Sequence, residues 1–92
     1  MNTTICKAIN EGRLLGFLYK RVHRWVEPHT YGLQVSGKEA LCAWQTAGGS
    51  GEGFRLFITV DMDSMVVGEP FDGSRDGYHR GDRRFQVIHA EL

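Results

Sequence analysis

The sequence predicts a mainly β fold: one N-terminal helix, then a strongly curved antiparallel sheet forming a small closed or half-closed barrel. Three observations predict it. Glycine supplies 12 of 92 residues and proline 2, a balance that suits short strands and tight turns better than long helices. Ile5, Ala8 and Ile9 fall at i, i+3 and i+4, the single apolar stripe of a short helix. The rest of the chain is a series of short apolar runs separated by turn signals, the pattern of consecutive antiparallel strands.

The elements follow in order. The helix spans about residues 3–12, with Thr3 or Thr4 as cap and Gly12 as terminator. Residues 13–19 are nearly all apolar and read as a strand buried on both faces or covered by the helix. Residues 20–23 form a turn, and residues 24–35 a second extended segment. Pro28 interrupts that segment; it has no N–H for a ladder, which marks an edge or a bulge. Ser36-Gly37-Lys38 is a hairpin turn, and residues 39–46 make the third strand. Residues 47–53, with four glycines, are a loop before a fourth strand at Phe54–Ile58. Asp61–Met65 reads as one helical turn with Met62 and Met65 inward, and Val66-Val67 as a short strand. Residues 68–84, rich in Gly, Asp and Arg, read as loop, and residues 85–92 as the last strand. Residues 1–92 make a single domain, with barrel strands over about 13–92.

Eleven Lys/Arg balance eleven Asp/Glu, so no global field draws the chain to nucleic acid or membrane. Two local stretches are basic: Lys20–Arg24 and His79–Arg84. No apolar run approaches the roughly 18 residues that span a bilayer, and the expected location is cytoplasmic. Cys6 and Cys42 lack metal-ligand spacing and are expected as free, poorly reactive thiols. His23, His29, His79 and His89 match no zinc pattern. The glycine loop at 48–53 leads into a strand and not a helix, so it lacks the N-terminus that binds phosphate in glycine-rich loops. No strained nucleophile turn or paired base stands out. The expectation is a binding module with no enzymatic activity, metal or cofactor.

The most informative stretch is Arg24–Leu33, which mixes aromatic and charged side chains on one strand. It reads either as a polar pocket or as a structural network in which Arg24 and Glu27 pair at the surface and Tyr31 lids the barrel.

Arg24-x-x-Glu27-Pro28-His29-x-Tyr31-Gly32-Leu33, then Gly37-Lys38-x-x-Leu41, Trp44-Gln45 and Phe54-Arg55-Leu56-Phe57, resembles the WYL domain in its short stand-alone bacterial form. The likeness extends over roughly residues 5–90. The Trp-Tyr pair that names the family falls here at Glu39-Ala40, with only Leu41 kept. The family's acidic-basic-aliphatic triplet is Val60-Asp61-Met62, without its basic member, and no helix-turn-helix is present. The resemblance implies an Sm-like small β-barrel and a regulatory module that binds a nucleotide, an oligonucleotide or another anionic ligand, with a protein partner or a second copy as further partners. It places ligand contacts at Arg24, His29, Tyr31 and Arg55, and a weaker one at Gln45; Trp44, with Tyr31, supplies a stacking surface. The alternative is a structural or oligomerisation module whose polar cluster holds the barrel together.

Overall fold

Asn2, not Thr3 or Thr4, opens the helix. In a computed structural model describing all residues, Met1–Leu92, α1 spans Thr3–Glu11, and the Asn2 side chain accepts from the Ile5 amide at 3.0 Å. Both threonines lie inside the first turn. Gly12 ends the helix in the left-handed conformation, φ 64°, with its N–H on the Ala8 and Ile9 carbonyls. A nine-residue helix is unstable alone; α1 is held by burying Ile5, Ala8 and Ile9.

Six strands follow: β1 (Arg13–Tyr19), β2 (Val22–Gln34), β3 (Glu39–Ala47), β4 (Gly53–Ile58), β5 (Met62–Pro70) and β6 (Phe85–Glu91). Every pairing is antiparallel, in the order β4-β3-β2-β1-β5, with β6 added on β2. The sheet is not closed: β4 and β5 end the five-strand path, joined by a 3₁₀ turn at Thr59–Asp61, and β6 has β2 as its one partner.

β2 organises the sheet. Its first half, Val22–Val26, pairs with β1, and its second half, Thr30–Gln34, pairs with β6. Pro28 lies where β2 leaves one partner for the other, a point at which its missing N–H forfeits no ladder bond. The register against β3 slips between Pro28 and Thr30. Of the two expectations for this proline, edge or bulge, the bulge holds, in a fully buried position.

Side-chain parity divides the interior. Leu15, Phe17 and Tyr19 of β1 point inward with Leu41 and Ala43 of β3, Phe57 of β4 and the helix stripe. The rings of Phe17, Tyr19 and Phe57 meet edge to face, with centroids 5.0–6.3 Å apart. Ala40 and Cys42 take the other face of β3 and form a smaller cluster with Phe85, flanked by Phe54, Ile58 and Ile88.

Several expectations change. Of the two expectations for β1, cover by the helix holds: Leu15, Phe17 and Tyr19 pack in one core with Ile5, Ala8 and Ile9, while Leu18 on the other face is 39% exposed. The turn before β2 is only Lys20-Arg21, both at positive φ (51° and 66°), and His23 is already in the strand. The helical turn precedes Met62 instead of containing it. The short strand at Val66-Val67 is a nine-residue edge strand with a bulge at Ser64, φ 55°. Regular structure therefore stops at Pro70, and the irregular segment is residues 71–84. No helix is long and apolar enough to cross a membrane.

Candidate functional site

The six residues singled out above separate into four places. Arg24 and Gln45 form the first. Arg24 lies on the inward face of β2; its guanidinium sits over the rings of Tyr19 (5.5 Å) and Phe57 (5.9 Å). It donates to the Tyr19 carbonyl at 3.2 Å and to Gln45 Oε1 at 3.0 Å. Gln45, fully buried, passes the link on: its Nε2 donates to the Gly48 and Gly51 carbonyls at 2.8 and 2.7 Å. Gly48, φ +92°, passes so close to β2 that a Cβ would stand 2.1 Å from the His23 carbonyl oxygen. Arg24 and Gln45 thus staple the 48–53 loop to the end of the core, while Arg24 Nε is buried there without a hydrogen-bond partner.

The expected surface pair of Arg24 with Glu27 does not form. The two side chains project to opposite faces of β2, and Glu27, 7% exposed, is held by Arg75. That pair is bidentate, with Arg75 Nε to Oε1 at 2.7 Å and Nη2 to Oε2 at 2.9 Å. The same guanidinium lies 4.9 Å over the Trp44 ring, whose edge meets Phe54. Trp44 is thus partly buried, with the Arg75 guanidinium over its ring.

His29 belongs to this second place. It is completely buried, among the rings of Phe54, Phe71 and Tyr78 at 5.2, 6.2 and 4.9 Å. The Arg75 backbone N–H donates to Nε2 at 3.0 Å, which leaves Nδ1 as the protonated nitrogen, donating to the Glu27 carbonyl at 2.7 Å. Burial holds the imidazole below its ordinary value of 6.5, despite the opposing pull of the Glu27 carbonyl and carboxylate. A buried, doubly engaged His29 is a structural contact and not the ligand contact expected of it.

Tyr31 stands apart. Its ring is fully buried, its hydroxyl donates to Glu39 Oε1 at 2.7 Å, and it accepts from the Asn2 amide. Burial pushes this phenol up to about 12. Burial also pushes Glu39 up, but the Tyr31 and Thr59 hydroxyls that donate to it outweigh this and leave it below the usual range. Tyr31 anchors the start of α1, and no ring surface remains for stacking.

Arg55 is the one expected contact that opens on a cavity. Beside it a groove of about 510 Å³ runs between the outer face of β4 and residues 77–84. Its apolar side is Cys42, Phe54, Leu56 and Tyr78; its basic side is Arg55, His79, Arg80, Arg83 and Arg84, with Asp82 the only acid lining it. Asp82 is occupied by Arg84, Oδ2 to Nη2 at 2.6 Å, and this partner holds its carboxyl below the usual range. Arg80 pairs with Glu91 at 3.2 Å. Arg55 donates only to neutral oxygens, of Phe54, Ser50 and Gly51. Neither Arg55 nor Arg83 has an acidic partner. On a protein with no net charge, the lining of the groove therefore includes two arginines without acidic partners, of which Arg55 turns its guanidinium toward Ser50 and Gly51.

Cys42 lies at the base of this groove. Both cysteines are free, and burial pushes both thiols up, though the Arg84 guanidinium at 3.3 Å from Cys42 Sγ opposes this. No three histidine, cysteine or carboxylate side chains converge as metal ligands.

Sequence reasoning noted the basic run His79–Arg84 but attached no pocket to it, and it missed Arg75 altogether. The first had a local signal in its charge. The second had none, because its partner Glu27 is 48 residues away. No family model, curated protein or solved structure matches this chain.

Proposed function

We propose that this chain is a WYL-like regulatory module on an Sm-type small barrel, and that it binds a phosphate-bearing anion in the groove between β4 and residues 77–84. The observation that carries this is the pair Arg55 and Arg83, two arginines without acidic partners among the residues that line a cavity large enough for a small ligand. Arginine matches the planar, two-oxygen face of a phosphate better than a point charge does. The floor of Phe54, Leu56 and Tyr78 suits an apolar or ring-shaped body attached to that phosphate. A nucleotide or the end of an oligonucleotide has both parts.

The helix-first topology supports the barrel reading. So do the order β4-β3-β2-β1-β5, the long β2 shared between partners, and the 3₁₀ link from β4 to β5. The Tyr19 hydroxyl adds a bond across the gap, accepting from the Ile58 amide at 3.1 Å.

The test is a binding titration with nucleotides and short oligonucleotides at several salt concentrations. Wild-type affinity should fall with salt. Arg55→Ala and Arg83→Ala should each lose about 10- to 100-fold in affinity, as expected for removing a charge-assisted bond. Affinity unchanged in both variants ends the proposal.

A second reading, a module that assembles with another copy, has its own support. β4 and β5 leave their outer edges unpaired, and Val60 and Val66 are 84% and 55% exposed. Light scattering across a concentration series decides it.

A further inference from the structure

We infer that His29 is a proton-operated latch on the anion groove: uncharged, it holds residues 71–84 against β2 and β4, and protonated, it releases them. The inference rests on the groove being the ligand site, because residues 77–84 form one of its two walls.

The geometry requires an unprotonated Nε2. That nitrogen accepts the Arg75 backbone N–H at 3.0 Å, while Nδ1 is already committed to the Glu27 carbonyl at 2.7 Å. A second ring proton would point N–H against N–H, inside a cage of Phe54, Phe71 and Tyr78 whose one oxygen, the Tyr78 hydroxyl, is engaged with the Leu92 carbonyl. The ring must turn or the Arg75 backbone must move. The segment has no helix or strand of its own to resist this.

Several charged and titratable groups surround the ring. Glu27, on the same strand, favours the charged ring, and Arg75 opposes it. Tyr78 packs against the ring from the segment itself and donates to the Leu92 carbonyl at 3.0 Å. Glu91 of β6 is engaged with Arg80 and with the Gly81 amide. Asp72 and Asp76 of the segment are exposed. β4 brings only Phe54. Glu27, the acid in contact with this site, is held bidentate by Arg75, so the approach of a proton to Nε2 finds no free carboxylate.

The segment is also tied at its ends by the Phe71 amide on the Gly12 carbonyl and the Val35 amide on the Arg84 carbonyl, and between them by Tyr78 on the Leu92 carbonyl and by two ion pairs with exposed guanidinium ends, Arg75 to Glu27 and Arg80 to Glu91. Of the two pairs, Arg80 to Glu91 is the more exposed and is weak in water and screened by salt. His29 is the one fully buried polar tie, and it lies at the start of the segment whose far end carries Arg83.

The experiment uses amide hydrogen exchange and the ring nitrogen shifts of the whole chain, followed from neutral to acid pH, with inorganic sulfate as the probe anion because it stays doubly charged. At neutral pH the ring should report a protonated Nδ1 and a bare Nε2. As His29 titrates, the Arg75 and Tyr78 amides should lose protection about tenfold for each pH unit, while β1–β3 amides keep theirs and sulfate shifts at Arg55 and Arg83 fade together. In His29→Gln, which can still accept the Arg75 N–H but does not titrate, the segment should stay protected over the same range. If that variant does not fold, coincidence of the wild-type His29 midpoint with segment release decides alone. The inference is overturned if the segment keeps its protection through the His29 titration, if it opens only with the whole sheet, or if the acid step persists in His29→Gln. Absence of sulfate shifts at neutral pH overturns the anion reading instead, and the exchange data still decide the latch.

Discussion

Two arginine-bearing runs, Lys20–Arg24 and His79–Arg84, look alike in the sequence and end with opposite fates. Arg24 falls on the inward parity of β2, so its guanidinium turns over the Tyr19 and Phe57 rings and is consumed by a carbonyl and by Gln45. Arg80, Arg83 and Arg84 lie in a segment without a pleat and stay at the rim of a groove. Charge along a chain thus says where cations are, while strand parity decides which of them is available. A cation folded inward is a packing element; one left on irregular backbone beside an apolar surface stays accessible.

The contrast can be tested at both ends. The largest effect is expected where the inward arginine rests. Phe57→Ala removes the ring that meets Phe17, Tyr19 and Arg24, and should cost about 3–5 kcal/mol in denaturant unfolding. Arg24→Ala should cost about 2 kcal/mol, because it leaves the buried Gln45 carbonyl oxygen without its donor. A loss below measurement error would show that Arg24 is free after all.

Two pH dependences come next, and they run in opposite directions. The neutral form of His29 is favoured in the fold, so its stabilisation is complete above 6.5 and erodes as the pH falls below that value. The neutral form of Tyr31 is also favoured, so its contribution is complete below 10 and erodes as the pH rises toward about 12. Unfolding free energies on the acid side and phenolate absorbance on the alkaline side check these. Tyr31 should ionise only near pH 12. The smallest effect is expected in the groove: Arg83→Ala should leave stability within about 0.5 kcal/mol of wild type, a typical surface value. A larger loss would place Arg83 with Arg24.

Much of this architecture was legible in the sequence for local reasons. The helix stripe, the Gly12 terminator and the Ser36–Lys38 hairpin are each written within a few residues. So is the bulge at Pro28, because proline announces its missing donor wherever it stands. β5 was legible only at Val66-Val67. Four of its remaining positions are Asp63, Ser64, Gly68 and Glu69, tolerated because an edge strand faces water over much of its length. The site was legible in part. Arg55 and the His79–Arg84 run were visible as charge, but their meeting depends on residues 71–84 folding back over β4. What holds that segment, the contacts of Arg75 and Tyr78 with Glu27 and His29, joins residues 46 to 49 positions apart. Such contacts leave no periodic trace. His29, Tyr31 and Gln45 were chosen for polar character, and they are buried for the same reason: each satisfies a backbone or side-chain group that the bent β2 or its neighbours would otherwise leave unpaired.

The placement of the two tryptophans gives the molecule a pair of built-in optical gauges. Trp25 lies flat over Gly16 of β1 and Gly68 of β5, so near that a Cβ on either glycine would come within 2.9 Å of the ring. It reads the state of three neighbouring strands. Trp44 is roofed by the Arg75 guanidinium and edged by Phe54, and it reads whether residues 71–84 are in place. A chain with Trp25→Phe emits only from Trp44, and lifting of the segment should redden that emission by admitting water to the indole. A chain with Trp44→Phe emits only from Trp25 and should stay silent until the strands themselves part. The same solution, excited at one wavelength, then separates a local opening from global unfolding without any attached dye.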